Sequence, residues 1–360
     1  MQILHIINSL HIGGAEKLLV DSIPIYKQKG TDVDLLLLNG DETPFFKQLK
    51  DKNITIYNLT KRNIKKIYNP LLIFFIIPYL KKYDIIHVHL FPALYWVALA
   101  KWLSRSNTKL IFTEHSTNNR RITKKGIWQV LDRFIYKQYY RIVTITSEVN
   151  VIIKAHLSDK SNKLKVINSG IDITQYINAT GYGTNNKDLK TLIQISSFRE
   201  AKDQPTVIRA LQFLPKNVVL QLVGNGVTLK QCEKLVNDLS LSNRVSFLGI
   251  RTDIPKLLKS ADITILSSNY EGLSLSSIEA MASGKPFVAS DVPGLRDIVQ
   301  GAGLLFKKGN EKDLAEKIMS LLNDEELYKK VAQQCFERAK KYDINTMVDK
   351  YIELYNEINR

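Results

Sequence analysis

The chain has 360 residues, 44% of them apolar, and carries a formal net charge of +16. This length allows two domains with separate cores, and the apolar content excludes a disordered chain. The only cysteines, Cys232 and Cys335, exclude a disulfide framework and favour a reducing compartment. The longest apolar run, residues 71–77, is too short to span a membrane, and the N-terminus lacks a signal-peptide pattern. We therefore expect a cytoplasmic protein.

The positive charge is concentrated in the first half of the chain. Residues 1–172 hold 26 Lys and Arg against 13 Asp and Glu, whereas residues 173–360 hold 25 against 22. This asymmetry predicts an anionic partner for the first half. Because no zinc-finger, RNP-like or basic-zipper motif is present, we expect no nucleic acid. An anionic membrane surface or a phosphate-bearing acceptor fits better.

Apolar, β-branched runs alternate with helical patterns along the chain. The predicted strands of the first half are Ile3–Ile7, Val33–Leu38, Ile54–Leu59, Ile85–His89, Leu110–Thr113, Ile142–Thr146 and Leu164–Ile167. Those of the second half are Thr191–Ser196, Val218–Val223, Val245–Leu248, Ile263–Leu266, Pro286–Ala289 and Gly303–Phe306. Continuous apolar strands separated by helices indicate parallel sheets that are covered on both faces. The sequence thus predicts an α/β protein with two doubly wound, Rossmann-like domains.

The join between the domains is predicted in residues 169–190, which are rich in Gly, Asn and Thr. We place the N-terminal domain at residues 1–172 and the C-terminal domain at residues 173–344. Ligands of such sheets bind beyond the carboxyl ends of the strands. The candidate chemistry is therefore expected in the loops after strands, in a cleft between the two domains.

The segment "YEGLSLSSIEAMASGKPFVASD", residues 270–291, carries two glutamates eight positions apart. Glu271 is predicted on a loop, and Glu279 about one turn into a helix over residues 275–283. Ser274 or Ser276 could cap that helix, whose first N–H groups and positive dipole end favour an anion. The Glu279 carboxylate suits a neutral diol such as the two hydroxyls of a ribose.

The motif "EGLSLSSIE" resembles the E-x7-E motif of the retaining glycosyltransferases of family 4, which have the two-domain GT-B fold. Further motifs of that family follow in the same order along nearly the whole chain. They are "GGAE" at 13–16, "DIIHVH" at 84–89, "FTEH" at 112–115, "SSFREAKD" at 196–203, "LVGNG" at 222–226, "VSFLG" at 245–249, "SADITILSS" at 260–268 and "EAMASGKPFVAS" at 279–290.

The resemblance assigns the sugar donor mainly to the second domain. It implies that Glu279 binds the ribose of a sugar nucleotide and that Glu271 binds a hydroxyl of the transferred sugar. Arg199 and Lys202 would hold the diphosphate, where fixed cations stabilise the charge of the leaving group. The remaining donor contacts would come from Leu273, Ser274 and Leu275 at the helix start and from Gly249, Ile250 and Arg251 beside the base.

In the first domain, the resemblance implies that Gly13 and Gly14 let the backbone approach the diphosphate. His115 would face the sugar near its reacting carbon, and a C-terminal helix over residues 345–360 would cross back to this domain. His87 and His89 alternate along one strand and share a face. Packing in the core and contact with the acceptor both remain open for these two histidines.

The activity implied is a metal-independent, retaining transfer from a nucleotide-diphosphate sugar, more consistent with UDP than GDP. The acceptor would be a saccharide or a polyprenyl-diphosphate-linked saccharide in bacterial cell-surface polysaccharide synthesis, at the inner face of the membrane. No cofactor and no metal are expected, because the DxD-like residues Asp32 to Asp34 open a strand away from the site. The alternatives are another GT-B sugar-nucleotide enzyme, such as an epimerase, and a non-catalytic sugar-nucleotide-binding protein.

Two features depart from the family pattern or extend it. Ser274 stands where the family commonly has glycine, and Pro293 where a second glycine is usual, which bears on the donor sugar. The stretch 118–141 combines many basic residues with an apolar stripe made of Ile127, Val130, Leu131, Phe134 and Ile135. A core helix with a basic outer face and a helix that docks on anionic lipid both fit this pattern.

Overall fold

The computed structural model describes residues 1–11, 13–115, 126–157, 162–182, 188–271 and 274–359. Its internal contacts divide the chain into two units, residues 1–170 together with 344–360, and residues 171–343. Within the described residues each unit contains one parallel sheet. The sheets have seven and six strands, as the α/β prediction requires.

The first sheet has the strand order β3-β2-β1-β4-β5-β6-β7. Its strands are β1 Gln2–Ile7, β2 Asp32–Asn39, β3 Ile56–Thr60, β4 Ile85–His89, β5 Lys109–Glu114, β6 Arg141–Thr144 and β7 Leu164–Val166. The helices of this unit are α1 Gly14–Gln28, α2 Pro44–Lys50, α3 Leu72–Lys82, α4 Ala93–Ser104, α5 Ile127–Lys137, α6 Ser147–Leu157 and the C-terminal helix Ile344–Asn359. All five residues of β4 are buried, because helices cover both faces of the sheet.

The C-terminal helix Ile344–Asn359 packs against α1 on one face of the first sheet. Tyr351, Leu354 and Tyr355 on this helix are buried in the same core cluster as Ile111 and Val143 of the sheet. The end of the sequence therefore completes the core formed by its beginning.

The second sheet has the strand order β10-β9-β8-β11-β12-β13. Its strands are β8 Lys190–Ile195, β9 Val218–Val223, β10 Val245–Phe247, β11 Ile263–Leu266, β12 Phe287–Ser290 and β13 Leu304–Phe306. The helices of this unit, α7 to α14 in chain order, are Thr174–Ile177, Gln204–Ala210, Leu229–Asp238, Ile254–Ser260, Leu275–Ala282, Pro293–Val299, Glu311–Asn323 and Glu325–Lys340. In both sheets the order reverses beside the first strand, which is the position where doubly wound sheets bind ligands.

All thirteen predicted strands are found, with ends that shift by one or two residues. The twelfth strand begins at Phe287 and not at Pro286, because proline has no N–H to give to the ladder. Asp32 begins β2 at the amino end of the sheet, and Asp34 accepts a hydrogen bond from the Tyr83 hydroxyl at 2.6 Å. The DxD-like residues thus lie at the edge opposite to the ligand-binding edge.

Candidate active-site residues

The loops after β8 and β11 bring Lys202 and Glu271 into contact. These strands are hydrogen-bonded neighbours at the point where the second sheet reverses its order. The Lys202 ammonium forms an ion pair with Glu271 Oε1, and Ser268 donates a hydrogen bond to the same oxygen at 2.5 Å. The side chain of Lys202 is 20% exposed and that of Glu271 is 10% exposed. The sequence assigned these two residues to different parts of a ligand, whereas the structure pairs them with each other.

The loop that carries Lys202 is held by polar side chains from both neighbouring strands. It forms a short 3-10 helix, Glu200–Lys202. Gln194 donates to the Lys202 carbonyl at 2.9 Å, the buried Ser267 hydroxyl donates to the Asp203 carbonyl at 2.8 Å, and Asn269 donates to the Glu200 carbonyl at 2.7 Å. Because ordered backbone anchors the lysine at its root, its ammonium is preorganised. Neither Ser268 nor these supporting groups were predicted from the sequence.

Arg199 lies at the start of the same 3-10 helix, and its side chain is exposed. Its guanidinium has no hydrogen bond or ion pair among the described residues, so it is a cation available to a ligand. The loop of Gly224 packs directly behind it, where Phe198 N–H donates to the Asn225 carbonyl at 3.0 Å. A Cβ at Gly224, which has a φ of +134°, would lie 2.1 Å from the Ser196 carbonyl oxygen. Only glycine permits this close approach.

Ser274 is the N-cap residue of the helix Leu275–Ala282, and no side chain of a described residue caps this helix. The predicted serine cap does not form, because the hydroxyls of Ser274 and Ser276 hydrogen-bond each other at 3.0 Å. The first N–H groups of the helix are thus left to another acceptor. Glu279 lies half-buried one turn into this helix, and the partly buried Leu275 packs against the core. Leu273 lies outside the described residues.

The residues proposed to contact a base follow β10, at the edge of the second sheet. Gly249 adopts a φ of +64°, and its carbonyl accepts a hydrogen bond from Gly224 N–H at 2.8 Å. Ile250 is 59% exposed. Arg251 directs its guanidinium to the Asp253 carboxylate, with contacts of 2.8 and 2.6 Å, so its charge is already balanced.

In the first unit, the proposed residues likewise lie at carboxyl ends of strands. Gly14 is the first residue of α1 and Gly13 its extended N-cap residue. A Cβ on Gly13 would lie 2.3 Å from Glu16 Oε2, because the Glu16 side chain folds back over this glycine. Burial raises the pKa of the Glu16 carboxyl above its usual value. His115 directly follows β5 and is half-buried.

His115 is the outer end of a buried network that the sequence analysis did not find. Its Nε2 lies 3.1 Å from His89 Nδ1, and His89 Nε2 lies 3.1 Å from His5 Nδ1. His5 and His87 are direct neighbours in the register of β1 and β4. Burial lowers the pKa of His5 to about 3 and that of His115 to about 4, and it lowers the pKa of His87 and His89 far below their usual value. The open question for His87 and His89 is answered in favour of the core.

Helices α3, α4 and α5 are neighbours and expose large apolar side chains. Phe74 and Phe75 on α3 are 61% and 62% exposed, and Ile127 on α5 is 79% exposed. Trp102 on α4 contacts Phe134 of α5 edge to face, with 5.8 Å between ring centroids. The remaining exposed apolar residues of these helices are Leu103, Trp128 and Val130. Ile135, from the predicted stripe, is buried on the inward face of α5 together with Asp132, whose Oδ2 lies 3.0 Å from His156 Nε2 of α6. Only part of the predicted stripe therefore faces the core.

Only some of the basic residues of the stretch 118–141 are among the described residues. Arg120, Arg121, Lys124 and Lys125 fall outside the described residues. Arg133 and Lys137 are exposed on α5. Among the helices that the structure describes, none has the length and apolar character needed to cross a membrane.

Two family descriptions match the chain, each over one half. "Glycosyltransferase Family 4" matches residues 12–175, and "Glycosyl transferases group 1" matches residues 182–341. Two parallel Rossmann-like sheets with this strand order define a GT-B protein. The chain belongs to the family 4 glycosyltransferases.

Curated relatives agree with this membership, and a solved structure has a similar fold. The chain is 30% identical to the N,N'-diacetylbacillosaminyl-diphospho-undecaprenol alpha-1,3-N-acetylgalactosaminyltransferase of Campylobacter jejuni, over 65% of this chain and 67% of that protein. It is 29% identical to the N-acetyl-alpha-D-glucosaminyl L-malate synthase of Bacillus anthracis, over 77% of this chain and 75% of that one. The crystal structure of Anabaena HepE in complex with UDP and glucose has a similar fold, with a TM-score of 0.84 and 22% identity over 99% of this chain and 100% of that chain.

Proposed function

We propose that this glycosyltransferase transfers a sugar from a UDP-sugar to a saccharide hydroxyl, with retention of the anomeric configuration and without a metal. The observation that carries the proposal is the cluster of Lys202, Glu271 and Ser268 at the ends of two adjacent strands. In this proposal Glu271 binds a hydroxyl of the transferred sugar, and Lys202 meets the diphosphate. Arg199 and the open N-terminus of the helix Leu275–Ala282 provide further positive charge.

The chemistry explains why such a cluster is useful. Departure of the nucleotide places negative charge on the diphosphate and positive charge on the sugar ring. A fixed ammonium, a free guanidinium and uncapped helix N–H groups stabilise the diphosphate, while a carboxylate lies beside the sugar. These groups can take the role that a divalent cation has in other transferases. We therefore expect transfer to be unaffected by EDTA, and a requirement for added Mg²⁺ or Mn²⁺ would contradict this part.

The test is release of UDP from a panel of UDP- and GDP-sugars, measured with and without a membrane extract as the source of acceptor. Transfer predicts release that depends on the extract and is lost in Glu271→Ala. An epimerase would instead convert the donor without acceptor, and a binding protein would bind the donor without releasing UDP. The configuration of the new linkage, read by NMR of the product, decides between retention and inversion.

For the acceptor, we propose a polyprenyl-diphosphate-linked saccharide in cell-surface polysaccharide synthesis, reached by docking on an anionic membrane. The name of the Campylobacter relative includes a diphospho-undecaprenol acceptor. Exposed apolar side chains on α3, α4 and α5 also support docking on a membrane. They are Phe74, Phe75, Trp102, Leu103, Ile127, Trp128 and Val130. This surface belongs to the half of the chain with 26 basic against 13 acidic residues. Exposed apolar side chains in a domain with excess positive charge suit the boundary between anionic headgroups and acyl chains.

Flotation of the full chain with vesicles tests the docking. We expect binding to vesicles that contain phosphatidylglycerol, and weaker binding to phosphatidylcholine alone or at high salt, since salt screens the electrostatic part. The double substitution Phe74→Ser and Phe75→Ser should reduce binding. Val227→Ser removes another exposed apolar side chain, 86% exposed in the second unit, and should leave binding unchanged. Equal flotation of both variants would refute the assigned surface.

A further inference from the structure

A continuous line of hydrogen bonds joins His115 to the C-terminal helix. We call it the histidine chain, and it consists of His115, His89, His5, Tyr355, His87, Thr113 and Tyr351. We propose that this chain has one direction of donation, which holds His115 as the Nδ1–H tautomer and makes it a hydrogen-bond donor toward the sugar. The functional half of this inference rests on the proposed placement of His115 beside the donor sugar.

Each member of the histidine chain has a fixed number of protons. Burial keeps the four imidazoles neutral at pH 7, so each ring has one N–H and one lone pair. Burial also raises the pKa of the Tyr351 and Tyr355 hydroxyls, so both keep their protons. In such a line every ring that accepts on one nitrogen must donate from the other. A hydroxyl has one proton, and a buried hydroxyl that accepted from both neighbours would leave that proton without an acceptor, so each hydroxyl of the chain that accepts on one side is expected to donate on the other.

The inner end of the chain selects the direction. The Tyr351 hydroxyl lies 3.0 Å from Thr113 Oγ1 and has no other hydrogen-bond partner among the described residues. If Thr113 donated to Tyr351, the buried Tyr351 proton would have no acceptor, which costs roughly 1–3 kcal/mol. Tyr351 therefore donates to Thr113. Thr113 in turn donates to His87 Nε2, at 2.7 Å.

The same rule carries the direction outward. With its Nε2 accepting, His87 donates from Nδ1 to the Tyr355 hydroxyl at 2.6 Å. Tyr355 accepts from His87 and has one proton of its own to give. The other group whose hydrogen bond to this hydroxyl is seen among the described residues is His5 Nε2, at 3.3 Å, so Tyr355 donates to His5.

The last two steps reach the proposed sugar site. His5 donates from Nδ1 to His89 Nε2, and His89 donates from Nδ1 to His115 Nε2, each at 3.1 Å. His115 then has its remaining proton on Nδ1, the nitrogen that makes no hydrogen bond to a described residue. A neutral imidazole in this state can donate to a sugar hydroxyl or ring oxygen. It cannot remove a proton through Nε2, whose lone pair is occupied.

The alternative interpretation is that the histidines of this chain bind a metal ion. Ligand atoms of His5, His87 and His89 lie within 4.8 Å of one another, so these three residues could be brought around one cation. However, His87 uses both ring nitrogens, at 2.6 Å to Tyr355 and 2.7 Å to Thr113. Since a ligand nitrogen must offer a free lone pair, the geometry favours the hydrogen-bonded chain.

The deciding measurement is the tautomer of His115 in the full-length protein without any ligand. Long-range ¹H–¹⁵N NMR on protein labelled at histidine distinguishes Nδ1–H from Nε2–H, and His115→Gln identifies the signal. We expect one Nδ1–H tautomer at pH 7. A single Nε2–H tautomer, an even mixture, or a charged His115 at pH 7 would overturn the proposal. So would a stoichiometric transition metal in the purified protein that is lost in His87→Gln.

Two substitutions one turn apart on the C-terminal helix form a matched pair. Tyr355→Phe cuts the chain between His87 and His5, so His115 should become a mixture of tautomers. Tyr351→Phe removes a hydroxyl of similar burial, but Thr113 remains as the first donor, so the Nδ1–H tautomer should persist. If both variants behave alike in this measurement, the directed chain is refuted.

Kinetics then tests the functional half. With the UDP-sugar that the donor panel selects, Tyr355→Phe should raise KM for the donor about 2- to 10-fold, the value of one misdirected hydrogen bond. Tyr351→Phe should change it much less. Equal KM values with a changed tautomer would overturn the role of His115 as a donor to the sugar. If the panel finds no turnover at all, the proposed function fails, while the tautomer measurement still decides the chain.

Discussion

Replacement of Lys202 by methionine tests the proposed site most directly, because it removes one positive charge and keeps the length of the side chain. In the structure the ammonium contacts Glu271 Oε1, and its side chain is only 20% exposed. If Lys202 stabilises a leaving diphosphate, its loss should lower kcat on the order of 10²- to 10³-fold. That corresponds to roughly 3–4 kcal/mol of transition-state stabilisation.

The effect on stability should be smaller than the effect on rate. Glu271 keeps its hydrogen bond from Ser268 at 2.5 Å, so the carboxylate is not left without a partner. Loss of one partner of a hydrogen-bonded charged pair costs about 1–3 kcal/mol, and partial exposure places this pair at the low end. Urea unfolding measures this loss of unfolding free energy separately from the loss of catalytic rate.

The assay is initial-rate UDP release with the selected donor and acceptor, compared with Lys234→Met as a matched control. Lys234 is exposed on the helix Leu229–Asp238 of the same unit. We expect the control to retain wild-type turnover and stability. Turnover of Lys202→Met within about threefold of wild type would refute the assigned role, since the charge effect is at least tenfold larger.

Three further changes have defined outcomes. Ser268→Ala removes the hydroxyl that orients Glu271, so kcat should fall about 3- to 10-fold with little change in the urea midpoint. Gly224→Ala places a Cβ 2.1 Å from a backbone carbonyl oxygen at a φ of +134°, so it should lower the unfolding free energy by about 2–4 kcal/mol. The control Gly309→Ala has a φ of +68° and open space around the Cβ, so it should lower the unfolding free energy by only about 1–2 kcal/mol. The buried His5, with its pKa lowered to about 3, contributes stability that is present above pH 6.5 and is lost as pH falls toward 3, so wild type should lose about 1.4 kcal/mol per pH unit more than His5→Gln in this window.

Each of these expectations can fail in a definite way. A loss of unfolding free energy in Gly309→Ala as large as that in Gly224→Ala would show that the close packing at Gly224 does not matter. An unchanged rate in Ser268→Ala would remove the hydroxyl from the site. Identical pH dependence of unfolding in wild type and His5→Gln, measured by urea titration between pH 7 and 5, would show that this imidazole is not held neutral by the fold.

The strands could be predicted because their cause is local. Runs such as Ile85–His89 are apolar at every position, and that pattern indicates a strand buried on both faces wherever it occurs. The order of motifs likewise indicated which loops carry Arg199, Lys202 and Glu271. The local pattern did not predict the ion pair between Lys202 and Glu271, because this pair forms only when β8 and β11 are neighbours in the sheet.

The exposed stripe of α5 shows the limit of periodicity in another way. Ile127 and Val130 repeat at helical spacing, which is the usual mark of a core-facing side. In the structure these two residues are exposed, while the inward face of α5 carries the buried Ile135 of the same stripe and Asp132, which pairs with His156 of α6. Spacing along a helix identifies a stripe, but the neighbouring elements decide which side is covered.

The amino-acid sequence alone determined the α/β architecture, the loops that bear the charged groups and the family to which the chain belongs, because each of these is written in short, contiguous segments. Only the tertiary structure brought together His5, His87 and Thr113 from three strands with Tyr351 and Tyr355 near the end of the chain. These residues lie up to 350 positions apart, and each is unremarkable in its own segment. Their proximity follows from parallel register and from the return of the last helix, and neither is encoded in any single stretch of sequence.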